Sequence, residues 1–315
     1  MKRILRAWPW LLLVMLVTGT LLPFGTANEF PARLVLGPEF SRSADQVVDW
    51  MVTNWGNYFS AVNQALLQYL LLPLEGWLLS LPWWPVAVVV GLSAYRFVGP
   101  LFSVVALLMV MVLAVFGLFD LAMTTLAIVI TAATLSVTVG VPAGILMAKS
   151  NRADAVLRPL LDMMQTMPSF VYLIPVLMLF GLGKVPAVIA VVIYAVPPMI
   201  RLTNFGIRQV DPHTLEAAKA FGATALQLLF KVQLPLALPT IMAGLNQTMM
   251  MALSMVVVAS MIGAKGLGTE VLNGIARLEI GRGLLGGIGI VIMAIILDRV
   301  TQGIARTRSS SRQVA

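Results

Sequence analysis

Long apolar runs separated by short polar segments dominate this chain. A transmembrane α-helix needs about 20 predominantly apolar residues. The runs that approach this length are 8–24, 82–98, 100–119, 121–148, 160–181, 185–201, 238–262 and 284–303. We therefore predict an all-α fold, a polytopic membrane helix bundle of about 7–8 transmembrane helices.

A further apolar run, 62–81, differs from the others because Pro73 and Glu75 interrupt it. Tryptophans such as Trp77 and Trp83 are typical of the boundary between membrane and water. We expect this run to lie at the interface as an amphipathic helix rather than to cross the membrane.

The pattern divides the chain into five parts. They are a membrane anchor or signal segment at 1–24, an external element with the interfacial helix at 25–81, peripheral transmembrane helices at 82–119, a transmembrane core at 120–303 and a disordered cytoplasmic tail at 304–315. The first part has basic residues before a short hydrophobic core, as a signal peptide does, but no clear cleavage site follows. An uncleaved anchor is therefore favoured over a cleaved signal.

Composition supports a membrane protein and excludes several chemistries. Hydrophobic residues make up 59% of the chain and charged residues 11%, whereas a soluble domain carries about 25% charged residues. The absence of cysteine excludes a disulfide scaffold and a thiolate metal site. A single histidine, His213, argues against a histidine-based metal or acid–base site. We expect no metal site and no catalytic residue.

The distribution of charge predicts the orientation. Placing both termini and the segments 149–159 and 202–236 in the cytoplasm puts fifteen basic residues inside and six outside. This agrees with the excess of Lys and Arg found in cytoplasmic loops. The net charge of +8 is therefore explained by orientation, without nucleic acid as a partner. The apolar runs contain no array of Asp, Glu or His side chains that could relay protons. This absence counts against a proton-driven transporter.

The segment 202–236 carries signals for two short helices joined at a glycine. Asp211, followed by proline, is a typical helix start. Gly222 is a typical helix end, and Thr224 can cap a second helix that we expect to end before Pro235. The pattern predicts an elbow parallel to the membrane. It is either an ordinary connection between spans or a docking surface.

This elbow carries a resemblance to a known family. Residues 216–235, EAAKAFGATALQLLFKVQLP, resemble the cytoplasmic loop of bacterial ABC importer permeases, with Val232 where isoleucine is usual. Within the resembling region, 120–303, the segments 162–210 and 238–275 are similar to permeases for glycine betaine, proline and choline. In that family the loop docks into a groove of an ATPase subunit.

The resemblance implies a transport subunit rather than an enzyme. It would act in an ATP-driven importer for glycine betaine, proline betaine or a related quaternary ammonium solute, in the inner membrane of a bacterium. Implied partners are an ATPase, a substrate-binding protein, a second permease copy and membrane lipid. No P-loop pattern is present, so ATP and Mg²⁺ would bind to the ATPase and no cofactor to this chain. The alternative is an ion-driven secondary transporter or channel that works without an ATPase.

The implied coupling residues lie in the elbow. Alanine side chains let a partner approach the backbone closely, and a glutamate in the first half of the helix complements the helix dipole. The coupling residues are Glu216, Ala217, Ala218, Gly222, Lys231 and Pro235.

Candidates for the translocation pathway are polar groups inside apolar runs. Prolines in the run 160–181 free backbone carbonyls, which is tolerated where the backbone lines a cavity or packs against protein. A packing kink, or hydrogen bonding between helices in the case of the two amides, is the alternative. The candidates are Gln165, Thr166, Pro168, Ser169, Phe170, Tyr172, Asn246 and Gln247. The external segment 263–283 is either a gate or binding-protein surface, or a plain connector.

Overall fold

A computed structural model describes Leu13 and residues 36–313 of the chain. The segment 1–24 therefore lies outside the described residues, apart from Leu13. By their internal contacts the residues group into two units, 1–53 and 54–315. The described residues of both units are helical, and no β-strand occurs among them. The predicted all-α class is confirmed for this part of the chain.

Thirteen α-helices are described, and some are joined by short 3₁₀ or π segments. They are α1 (Gly37–Leu66), α2 (Leu72–Ser80), α3 (Trp83–Phe97), α4 (Pro100–Val115), α5 (Phe119–Lys149), α6 (Asn151–Thr166), α7 (Leu173–Phe180), α8 (Lys184–Arg208), α9 (Pro212–Ala220), α10 (Ala225–Gln227), α11 (Leu234–Ala259), α12 (Leu267–Arg277) and α13 (Ile280–Gln313). Helix α1 contains the described residues of the first unit, apart from Leu13 and Leu36.

Four helical segments of the described chain are long and apolar enough to cross a membrane, and up to six are if each sharply bent pair counts as one span. The four are Phe119–Lys149, Lys184–Arg208, Ala225–Ile262 and Ile280–Ala305. Helix α4 is apolar but has only 16 residues. Four of the predicted runs thus each lie within one of these helical segments: 121–148, 185–201, 238–262 and 284–303.

The helices α5, α8 and α11 form the centre of the second unit, and glycines bring them close together. A Cβ atom at Gly144 of α5 would lie 2.5 Å from Cβ of Thr203 and 2.7 Å from the carbonyl oxygen of Ile200, both on α8. A Cβ at Gly206 of α8 would lie 3.2 Å from the carbonyl oxygen of Ala237 on α11. Small residues allow such backbone approach between membrane helices, so these three helices form a closely packed core.

The run 160–181 is not one continuous helix. Helix α6 ends at Thr166, a 3₁₀ turn covers Ser169–Tyr172, and α7 follows, with a bend of 113° between the two halves. The cause is Pro168: the residue before a proline is forced out of the helical region, and Met167 has an extended ψ of 136°. The prolines in this run were expected to interrupt it, and the break at Pro168 agrees with that expectation. The two halves pass the length and hydropathy criteria for a membrane span only when they are taken together.

Pro73 does not break the helical run that contains it. The run through Pro73 stays helical because a π segment, Leu67–Leu71, precedes it and places the proline in the first turn of α2, where its missing N–H costs nothing.

The last helix continues beyond expectation, to Gln313, although residues 304–315 were predicted to be disordered. Extending an existing helix adds one hydrogen bond per residue without a new nucleation step.

Candidate functional site

The elbow (residues 211–235) begins with a capped helix. The carboxylate of Asp211 accepts hydrogen bonds from the backbone N–H and the hydroxyl of Thr214, each at 3.1 Å. Helix α9 starts at Pro212 and ends at Ala220, and Gly222 follows with a φ of +80°. Only glycine adopts this left-handed conformation readily. The first arm of the elbow thus has the predicted boundaries.

The second arm begins with a capping box. The N–H of Gln227 donates to Oγ1 of Thr224 at 3.4 Å, and the N–H of Thr224 donates to Oε1 of Gln227 at 2.8 Å. Thr224 was predicted to cap this helix, but Gln227 was missed. The spacing Thr-x-x-Gln is the local signal that could have identified it.

The second arm does not end before Pro235, which corrects the expected short helix. A π segment, Leu228–Gln233, continues directly into α11, and Pro235 occupies the first turn of α11. The proline is tolerated there because the wider π turn comes before it, as at Pro73. Helix α8 also reaches into the segment 202–236, since it extends to Arg208. The elbow is therefore the direct N-terminal extension of a core helix.

Most residues of the elbow are exposed. Helix α9 has no buried residue. Of the coupling candidates, Glu216, Ala217, Gly222 and Lys231 are exposed, whereas Ala218 and Pro235 are half-buried.

Three large apolar side chains are also exposed on the elbow, and the coupling prediction did not include them. They are Phe221, Leu226 and Phe230, and Phe221 has 92% of its surface exposed. No periodic pattern in the sequence distinguishes them from the other apolar residues of the elbow.

One side chain fixes the second arm to the core. Leu229 is only 3% exposed and packs in a cluster with Met199 and Ile207 of α8 and Ala237 and Ile241 of α11. Leu229 therefore packs the second arm of the elbow directly against both of these core helices.

The pathway candidates near Pro168 lie on both sides of the bend. Gln165, Thr166, Pro168 and Phe170 are exposed and Ser169 is half-buried.

Tyr172 is different, since only 5% of its surface is exposed. Its hydroxyl donates a hydrogen bond to the carbonyl oxygen of Met164, and its ring contacts Tyr194 edge-to-face at 6.0 Å. The carbonyl group of Met164 lies in the last turn of α6. Its oxygen therefore has no backbone hydrogen-bond partner within that helix. Tyr172 therefore holds the bend.

The two amides on α11 do not form one site. Asn246 donates to Oδ1 of Asp298 and accepts from the hydroxyl of Thr301, both at 2.7 Å, so it bonds α11 to α13. Gln247 is exposed. For Asn246, the structure has the interhelical hydrogen bonding that was the alternative to solute contact.

The segment 263–283, which was predicted to be external, forms a tight helical hairpin. The guanidinium of Arg282 donates to Glu270 from Nε at 2.6 Å and from Nη2 at 3.1 Å. This bidentate hydrogen bonding holds the pKa of the Glu270 carboxyl below its usual value. Gly274 packs against Gly283, where a Cβ would meet backbone at 2.4 Å. Neither residue of the ion pair was a predicted site residue, because twelve positions separate them.

The described residues contain no group of three or more His, Cys, Asp or Glu side chains that could hold a metal ion.

Comparisons with known proteins agree with this architecture. In a search of solved structures, the MetNI methionine ABC transporter in inward-facing conformations has a chain similar to this one, with a TM-score of 0.55 over 61% of this chain and 95% of that chain. The sequence identity is only 20%, so the likeness is one of fold.

Relatives found by sequence share a higher identity with this chain. The glycine betaine/proline betaine transport system permease protein ProW of Escherichia coli is 50% identical over 264 residues, which are 84% of this chain and 74% of that protein. The glycine betaine transport system permease protein OpuAB of Bacillus subtilis is 42% identical over 84% of this chain and 94% of that protein. Residues 140–309, more than half of the chain, match the family described as binding-protein-dependent transport system inner membrane component. This chain belongs to that family, whose members are transport subunits rather than enzymes.

Proposed function

We propose that this chain is the permease subunit of an ATP-driven importer for glycine betaine, proline betaine or a related quaternary ammonium solute. The solute class is supported by the relatives, whose names specify glycine betaine or proline betaine transport. The mechanism is supported above all by one feature: an exposed elbow that continues directly into a core helix.

The elbow is the proposed contact with the ATPase. Ala217 is small enough for a partner to approach the backbone of α9, and Glu216 offers an exposed negative charge beside it. The exposed ring of Phe221 supplies apolar area of the kind that dominates the centre of protein interfaces. When the ATPases close, they would push the elbow, and Leu229 would transmit this displacement to α8 and α11.

The complete importer would contain two permease copies, two ATPases and a substrate-binding protein. ATP and Mg²⁺ would bind to the ATPases. The proposed orientation has both termini and the elbow in the bacterial cytoplasm, with the 263–283 hairpin outside. In this arrangement the exposed residues at the bend, Gln165 and Phe170 among them, would face the solute pathway near the second copy.

Uptake by the reconstituted complex tests this proposal. The full chain is reconstituted into proteoliposomes with its ATPase, and uptake of radiolabelled glycine betaine is measured with and without ATP and the binding protein. We expect uptake only when all components are present. We expect Glu216→Lys to reduce both uptake and co-purification of the ATPase by about tenfold or more, because it replaces the exposed anion with a cation.

The matched control is Glu39→Lys, which makes the same change at an exposed glutamate in the first turn of α1. It should retain uptake and ATPase association. Equal losses in both variants would mean that overall charge, not the elbow, matters. Uptake driven by an ion gradient without the ATPase would instead support a secondary transporter.

A further inference from the structure

A cavity of about 390 Å³ lies between the C-terminal end of α5, helix α6 and the last turns of α8. This volume falls within the range of roughly 300–1,000 Å³ that is typical of small-molecule sites. Three arginines line the cavity: Arg158, Arg201 and Arg208. None of the residues that line it is a coupling or pathway candidate, so the proposed function leaves this cavity without a role.

The local charge balance is positive. Asp162 lines the cavity and pairs with Arg201. Asp154 pairs with Arg158 at 2.7 Å and lies 3.9 Å from Arg208. Three guanidinium groups thus face two carboxylates, which leaves one positive charge uncompensated within the cluster. A cavity with excess positive charge favours an anionic ligand.

The three arginines differ in how many of their donors are used. Arg208 is committed to the protein: Nε donates to Oδ1 of Asn204 at 2.9 Å, and Nη2 donates to the carbonyl oxygen of Met147 at 2.7 Å. Its guanidinium also bonds Asn151. It therefore shapes the cavity but has little capacity for a ligand.

The other two arginines have capacity left. Nε of Arg201 is buried and has no hydrogen-bond partner among the residues that the structure describes. Arg201 bonds Asp162 through Nη2, lines the cavity and keeps 36% of its side chain exposed. Its other terminal nitrogen, Nη1, is therefore the donor that a ligand can reach. Arg158 bonds Asp154 through one nitrogen while 62% of its side chain remains exposed. Because Arg158 also lines the cavity, its remaining N–H groups can serve a ligand there.

We infer that this arginine cavity binds a phosphate-class anion through Arg158 and Arg201. The planar fork of guanidinium donors matches the oxygens of a phosphate group. In the proposed orientation the cavity lies at the cytoplasmic end of the bundle, within reach of the inner leaflet. The phosphate belongs either to the headgroup of an anionic lipid or to free inorganic phosphate, since both present anionic non-bridging oxygens to a guanidinium group.

The lipid source is tested with the full chain in nanodiscs of phosphatidylcholine that contain a minor fraction of phosphatidylglycerol. Native mass spectrometry measures how much phosphatidylglycerol the protein retains. We expect enrichment on the wild type. The double variant Arg158→Gln/Arg201→Gln should retain about tenfold less or lower still, because charge-assisted hydrogen bonds are lost. Arg158→Gln alone changes a largely exposed residue and should show a partial loss while the protein stays folded.

The free-anion source is tested by titrating inorganic phosphate onto the same protein in pure phosphatidylcholine nanodiscs at constant ionic strength. Binding in either arm supports the inference and identifies the source. The matched control is Arg152→Gln, which removes a positive charge from the same helix at an exposed position outside the cavity lining. It should retain wild-type binding.

Three outcomes would overturn the inference. The first is that neither phosphate nor phosphatidylglycerol binds better to the wild type than to the double variant. The second is that Arg152→Gln weakens binding as much as Arg158→Gln does, which would indicate general attraction by charge. The third is that glycine betaine displaces the bound anion at similar concentration, which would make the cavity a solute site.

Discussion

Loss of Lys184 should destabilise this protein more than loss of an ordinary surface lysine, because its partner is buried. Glu75 on α2 has only 6% of its surface exposed. Both of its carboxylate oxygens lie 2.7 Å from Nζ of Lys184 at the start of α8. Truncating one member of a buried ion pair leaves the other charge uncompensated.

The magnitude follows from the burial of each partner. The side chain of Glu75 is 8% exposed and that of Lys184 is 28% exposed. Lys184→Met leaves the more buried charge behind and should cost about 3–5 kcal/mol of unfolding free energy. Glu75→Gln leaves the more accessible ammonium, which water can reach, and should cost roughly 1–3 kcal/mol. The double variant Glu75→Leu/Lys184→Met removes both charges and should be close to the wild type in stability.

The assay is reversible denaturant titration of the purified chain in mild detergent, supported by the thermal midpoint. For Lys184→Met we expect a fall in Tm on the order of 10 °C. Glu39→Gln, a change at an exposed glutamate, serves as the control and should leave Tm unchanged. If Lys184→Met were as stable as the wild type, or if the double variant were less stable than either single variant, the reasoning would be refuted.

Three further changes test other parts of the structure. Gly144→Ala should lower the unfolding free energy by about 1–3 kcal/mol through overpacking against α8, measured by the same titration; Gly76→Ala, whose Cβ would meet nothing within 4 Å, should be neutral or stabilising. Thr224→Ala should cost about 1 kcal/mol through loss of the helix cap and should speed amide hydrogen exchange in the second arm of the elbow; unchanged exchange would contradict the capping role. The pKa of Glu270 is lowered from its ordinary value of 4.5 by the hydrogen bond from Arg282. The stabilisation is therefore complete above that value and lost as the pH falls through the lower folded-state pKa. Arg282→Gln should flatten this acid dependence of Tm, and an identical acid profile would argue against it.

Much of the fold could be predicted because membrane helices carry strong local signals. Apolar length identified the long helices α5, α8, α11 and α13. The start of α9 at Asp211 and its end near Gly222 follow from capping chemistry within a few residues. The continuity of the helices through Pro73 and Pro235 could not be predicted, because a preceding π turn changes what a proline does.

The candidate site was predicted unevenly for a similar reason. The spacing of the elbow motif selected six coupling candidates, of which four are exposed; their coupling role stays a prediction. The burial of Tyr172 was not, since it depends on a bend of 113° that brings its hydroxyl to Met164. The exposure of Phe221 and the bonding of Asn246 to Asp298 likewise depend on which faces of the helices meet.

The sequence by itself determined the membrane class, the positions of the long helices, the capped elbow and the family resemblance, because each depends on residues close together in the chain. Only the tertiary structure decided that Glu75 pairs with Lys184, across 109 positions, and that arginines from α6 and α8 surround one cavity. Charges in apolar surroundings must find partners, and which partners they find depends on how the helices pack. That packing is set by small residues and close backbone contacts spread over the whole chain.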